Sequence, residues 1–102
     1  MPIAQFPFEG PFPTLTKIRS ESGVYAVVCE FVDKFYLLDV GRSEDVKNEI
    51  ANHERRSCWE RFKKGKIRYA VLYTDLFPNL TDGQIVKNVR STYKGIPCGV
   101  EI

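Results

Sequence analysis

The spacing of apolar and polar positions divides the chain into segments of different period. SGVYAVVCEF at 22–31 and KFYLLDVG at 34–41 are dense in β-branched and aromatic residues and close to strand length, so they predict a hairpin connected through Val32, Asp33 and Lys34. With the turn centred on Val32, antiparallel pairing sets Tyr25 across from Asp39. Beyond Gly41 the period changes. Ser43 suits an N-cap, Glu44 and Asp45 put negative charge in a first turn, and Val46, Ile50, His53 and Ser57 follow at helical spacing. Trp59 and Phe62 fall off that stripe, so this helix is expected to bend or end near Ser57. IRYAVLYTDLF from Ile67 predicts a third strand, apolar without interruption from Tyr69 to Tyr73, as a strand buried on both faces would be. NLTDGQIVKNVRSTYKG predicts a second helix with Thr81 or Asp82 as cap and Ile85, Val86, Val89 and Tyr93 as its apolar stripe. Arg90 and Lys94 suit its C-terminal dipole, and Gly95 suits the left-handed residue that ends it.

Ahead of the hairpin, MPIAQFPFEGPFPTL holds four of the six prolines, interleaved with Phe6, Phe8 and Phe12. Proline withholds ladder donors, so residues 1–15 read as an extended arm that packs on its own core or docks on a partner, and 16–102 as a single domain. The order arm, β, β, α, β, α, tail predicts an α+β fold: a three-stranded sheet, made of the hairpin and a third strand, flanked by helices.

Composition narrows the class. A chain of 102 residues with 43% hydrophobic and 27% charged content is an ordinary globular domain and not a disordered one. Cys29, Cys58 and Cys98 are odd in number and widely spaced, which fits neither a disulfide framework nor a zinc site with paired ligands and implies a reducing compartment. No lysine or arginine precedes Lys17, and no stretch approaches the roughly 18 apolar residues of a membrane span. A cytoplasmic protein without a membrane partner is therefore expected. Cys58 has Arg55, Arg56 and Arg61 nearby, but no positioned base is in view, so it reads as a packing residue beside Trp59.

Charge changes the picture more than composition does. The net charge is +2, yet residues 54–68 carry seven cations against Glu54 and Glu60. Such asymmetry steers polyanions to one face. It points to DNA or RNA as partner, held by Arg42, Arg55, Arg56, Arg61, Lys63, Lys64 and Lys66, with Tyr25 and Trp59 for stacking. A solvated run of lysines reads the same way in sequence.

The ordered set GVY at 23–25, DVG at 39–41, GRSEDV leading into a helix with His53, HERRSCW at 53–59 and IVKNVRSTYKGIPCG at 85–99 resembles the GIY-YIG nuclease superfamily over roughly residues 22–99. The resemblance implies one phosphodiester site: two tyrosines on adjacent strands, an arginine and often a histidine on the next helix, and a glutamate on a later helix that holds a divalent ion. Tyr25 matches the first tyrosine, Gly23 and Gly41 the glycines, and His53 the histidine. Asp39 stands at the second tyrosine position, Glu49 at the arginine position and Val86 at the glutamate position. The implied domain has a degenerate catalytic set, in which Asp39 and Glu49 repel the phosphate and Val86 removes the ion anchor.

No cofactor is expected, with Mg²⁺ or Mn²⁺ required only if nuclease activity survives. In that case Asp45, Glu49 and His53, at i, i+4 and i+8 of one helix face, would join Asp39 as relocated ligands. Otherwise Asp45 and Glu49 face solvent, Asp39 accepts a hydrogen bond from Tyr25, and His53 packs on the hairpin. Three functions stay open: nucleic-acid binding without cleavage, a metal-dependent endonuclease with relocated ligands, and a protein-interaction module using the arm or an acidic groove at Asp39 and Glu49.

Overall fold

The computed structural model describes residues 1–76 and 79–99; the expected end of the third strand at Phe77 lies outside them. In chain order the elements are β1 (Pro2–Ile3), β2 (Phe6–Pro7), β3 (Glu9–Phe12), β4 (Gly23–Phe31), β5 (Lys34–Ser43), α1 (Val46–Ala51), α2 (Arg56–Phe62), β6 (Lys66–Tyr73), a 3₁₀ turn (Thr74–Leu76) and α3 (Asp82–Thr92). The chain is an α+β domain with a four-stranded antiparallel sheet in the order β3-β6-β4-β5, and a separate two-stranded ribbon of β1 and β2.

The fourth strand departs from the three expected. It comes from the proline-rich segment, where Glu9 pairs with Val71 and Phe12 with Tyr69. Proline is tolerated there because β3 is an edge strand whose outer side needs no donors. Ile3 and Phe8 are buried with Leu72, Ile85 and Val89, so the phenylalanine-rich segment packs on the domain's own core.

The hairpin register also differs. A two-residue turn, Val32-Asp33, has positive φ at both positions (50° and 60°), the backbone that matches strand twist in a tight hairpin. A further irregularity between Val27 and Val28 leaves Leu38 as an extra residue on β5. Tyr25 consequently pairs with Gly41, and Asp39 with Val27. Tyr25 and Asp39 still share a face, displaced diagonally.

The helix expected to run to Ser57 stops at Ala51, and a second short helix starts at Arg56. Asp45, not Ser43, is its N-cap, accepting from the Asn48 N–H at 3.1 Å. The break has a local cause: His53 Nδ1 accepts the Arg55 backbone N–H at 3.0 Å, and such a side-chain bond competes with helix continuation. In α3, Thr81 and Gln84 form a reciprocal capping box.

Alternation along the strands divides the core into two layers. Tyr25, Val27, Cys29, Val71 and Tyr73 face Val46, Ile50 and Trp59 of α1 and α2. Val24, Ala26, Val40, Ala70 and Leu72 face Ile85 and Val89 of α3. β4 is buried on both sides, and β5 forms the edge around which the two layers meet. The tail crosses that edge: the Cys98 N–H donates to the Leu38 carbonyl at 3.0 Å, and Cys98 forms a disulfide with Cys58. Against the expectation of three unpaired thiols only Cys29 is free, and it is buried, so the cysteine count gives no argument for a reducing compartment. Among the described residues, no helix is long and apolar enough to cross a membrane.

Candidate functional site

β5, α2, α3 and the tail converge on Asp39. Its carboxylate is fully buried and accepts from Arg55 Nε at 2.8 Å and Arg55 Nη2 at 3.1 Å, from Trp59 Nε1 at 2.8 Å and from Arg90 Nη2 at 3.3 Å. Arg55 and Trp59 lie one turn apart in and just before α2. Arg90 comes from α3 on the opposite face, reaching around the β5 edge, where the same guanidinium also donates to the carbonyls of Val40 at 2.8 Å and Cys98 at 3.3 Å. A buried carboxylate needs such partners, because leaving it unpaired costs several kcal/mol. Gly99 closes over the cluster. A Cβ there would stand 2.6 Å from Arg90 Nη2 and 2.7 Å from Asp39 Oδ1, and its φ of +74° favours glycine independently.

This geometry reverses the expected polarity. Asp39 is not an exposed anion facing a phosphate, nor does it bond Tyr25; one carboxylate sits between two guanidiniums, so the cluster carries net positive charge. The bidentate bond fixes Arg55 in orientation. Burial alone would lower the Arg55 pKa, but the hydrogen bond and charge of Asp39 outweigh it and raise the value above the ordinary one.

Beside the cluster, Tyr25 Oη and His53 Nε2 lie 2.6 Å apart. Because His53 Nδ1 accepts the Arg55 N–H, the neutral ring carries its proton on Nε2 and donates it to the phenol oxygen. Arg55 Nη2 lies 3.5 Å from that oxygen. The phenolic proton is left for another acceptor. Burial pushes the Tyr25 pKa up to about 12, against the opposing pull of Arg55. Burial and the Arg55 charge push His53 below its ordinary value, against the opposing pull of Asp39, Glu49 and Glu54. At neutral pH the pair is therefore uncharged, a hydrogen-bond donor and not a base. Glu49 is 43% exposed, with its carboxylate 4.0 Å from His53 Nε2.

The relocated ligand set is not assembled. Asp39 is taken up by arginines and tryptophan and Asp45 caps α1, which leaves Glu49 and His53 of the four. Among the described residues, no group of three His, Cys, Asp or Glu side chains is placed to hold a metal ion. The residues at these positions do not fit a divalent ion.

Next to the cluster lies a cleft of about 830 Å³ between β5, α3 and the tail. Arg42, Arg55, Lys87 and Arg90 line it with Val40, Val86 and Ile96, and among the described residues no carboxylate lines it. Gly41 forms part of the wall. A Cβ at this position would run into the Tyr25 phenol oxygen, so only a glycine lets the strand pass so close to that group.

The structure thus brings Tyr25, Asp39, Glu49, His53 and Arg55 together, and sets Arg42 and Val86 in the adjoining cleft. The rest of the basic segment lies elsewhere. Arg56 donates to the Ile50 carbonyl at 3.3 Å and sits over the Trp59 ring at 5.8 Å. Arg61 lies over Phe62 at 5.5 Å, and Lys63 bridges to Glu60 at 2.7 Å. The Lys64 N–H donates to Cys29 Sγ, and Lys66 pairs with Glu30 across β4 and β6, near the hairpin turn. One further expectation fails: Tyr25 and Trp59 are buried and cannot stack on bases. Cys58, read as a packing residue, is held in the disulfide with Cys98. Arg90 and Lys87 were missed as site residues. The available signal was their spacing, since Gly83, Val86, Lys87 and Arg90 share the α3 face beside the buried Ile85 and Val89 stripe.

No protein-family model matches this sequence, and neither curated proteins nor solved structures give a significant match.

Proposed function

We propose that the chain is a GIY-YIG-like domain that binds nucleic acid without cleaving it, using the cleft beside Asp39 for backbone phosphates. One observation carries this reading: among the described residues, four cations line the cleft and no acid does. Arg55, already oriented by Asp39, meets a phosphate with little further loss of side-chain freedom. Cleavage has no support from a metal ligand set at these positions.

Binding of this kind releases counterions. With two to four phosphates engaged, the logarithm of the affinity for duplex DNA falls against the logarithm of salt with a slope of about −2 to −4. Fluorescence anisotropy on DNA and RNA duplexes, junctions and single strands over a salt series measures it. Arg42→Ala and Lys87→Ala, both at exposed positions, each lower the slope by about one without changing the fold. Absence of binding to every probe at low salt would remove the reading. One observation favours a nuclease instead, the retained Tyr25–His53 pair. Cleavage in Mg²⁺ or Mn²⁺ that is lost in Tyr25→Phe would put that activity in place of simple binding.

A further inference from the structure

A different end of the molecule raises a question that the cleft does not answer. Phe31, Val32, Phe35 and Tyr36 are all exposed around the β4–β5 turn, Val32 most of all at 73%. Val32 occupies the apex with φ of +50°. A β-branched residue is poorly suited to that region, whereas asparagine or glycine adopts it readily. The position therefore carries both a backbone cost and an apolar side chain in water. Neither folding nor solubility accounts for such a choice, and strain of this sort marks functional positions.

The register shows the shape of the tip. Phe31 pairs with Lys34, and Glu30 with Phe35. Successive residues alternate faces, so Phe31 and Phe35 flank the apex on opposite sides. The result is an apolar wedge, aliphatic at its point and aromatic on both flanks. At its base stand four cations, Lys34 opposite Phe31, Lys64 over the Tyr36 ring at 5.5 Å, and Lys66 and Arg68 beside Glu30 and Asp33. Of those two acids, Glu30 is paired with Arg68 at 3.5 Å.

We propose that this hairpin tip is a peripheral docking site for an anionic phospholipid surface. Val32, Phe31 and Phe35 enter the boundary between headgroups and acyl chains, and the collar of lysines lies among the anionic headgroups. The absence of a spanning stretch bears on crossing a bilayer and not on lying against one. A single-stranded nucleic acid matches the cations but not the wedge, because base stacking needs an aromatic platform on one face. Here the two rings are split by the ribbon, and the leading residue is valine. The inference stands on observations separate from the cleft and does not depend on the nucleic-acid reading.

Flotation of the full chain with lipid vesicles tests it. Vesicles with about a third phosphatidylserine should bind the protein roughly tenfold better than pure phosphatidylcholine. Val32→Asn is the informative variant: asparagine suits the turn, so the melting temperature holds or rises, while binding to the anionic vesicles drops about fivefold. Phe35→Ser lowers it comparably. Equal binding of Val32→Asn and the parent chain would overturn the proposal, as would no preference for the anionic vesicles. So would the converse pattern, in which the Val32 and Phe35 variants lose affinity for a single-stranded oligonucleotide and no vesicle is bound.

Discussion

Tyr25 and His53 meet at 2.6 Å as neutral groups among charged ones, and this has a consequence for stability at both ends of the pH scale. His53 has a folded-state pKa below its ordinary value of 6.5. The unfolded chain takes up that proton first, so stability is full above about pH 6.5 and falls as pH drops toward the folded-state value. Tyr25 is the mirror case. Its folded pKa near 12 lies above the ordinary value of 10.0, so the unfolded chain loses the proton first and stability falls between about pH 10 and 12. Each group contributes a slope of at most about 1.4 kcal/mol per pH unit. Urea unfolding from pH 5 to 8 should show the acid-side loss in the parent chain and a shallower one in His53→Gln, and phenolate absorbance should show a late-ionising tyrosine that is missing in Tyr25→Phe. Identical acid-side profiles for the parent and His53→Gln would remove the assignment. Asp39 shows what a residue's identity leaves open. As a letter it is an acid where the resemblance implies a tyrosine; its role depends on Arg90, 51 positions away, and on Trp59, and no local pattern links the three.

At the scale of elements, period was informative and register was not. The runs at 23–31, 34–43 and 66–73 are strands, and 82–92 is a capped helix, because alternation, β-branching and the Thr81 cap each act locally. Register depends on a single residue of turn length and on the irregularity near Leu38, either of which moves Tyr25 relative to its partner. The edge strand β3 was hidden by Pro11 and the prolines flanking it, which argue against a strand only where both sides need donors. The true register gives Gly41 a specific task, passing β5 across the Tyr25 ring. In Gly41→Ala the new methyl would stand 2.6 Å from Tyr25 Cζ, inside contact distance of a ring that is buried and bonded to His53. Overpacking of this type costs about 1–3 kcal/mol. Chemical denaturation should record that loss, together with an earlier ionisation of Tyr25 as its ring is pushed toward solvent; a variant with parental stability would mean that β5 and the ring separate easily.

Across the whole molecule the tail decides whether the two faces stay joined at the site. α3 lies on one side of the sheet and α2 on the other, and the segment after α3 spans the β5 edge between them. Ile96 is buried in the α3 layer, Cys98 bonds the Leu38 carbonyl and Cys58, and Gly99 rests on Asp39, Arg55 and Arg90. The Cys58–Cys98 link joins residues 40 apart. Closing a loop of that length removes unfolded-state entropy equivalent to about 3–4 kcal/mol, a large share of the roughly 5–15 kcal/mol that holds a domain of this size together. Reductant should therefore lower the urea midpoint of the parent chain substantially. Cys58→Ser should start from the lowered midpoint and ignore reductant, while Cys29→Ala should keep the full response, since that thiol is unpaired. The same reduction loosens the seat of Gly99, so Arg55 and Arg90 become more accessible and the salt dependence of binding in the cleft changes with it. A midpoint that is the same with and without reductant would show that the tail is held by Ile96 and the Leu38 hydrogen bond alone, and that the site keeps its cover without the covalent link.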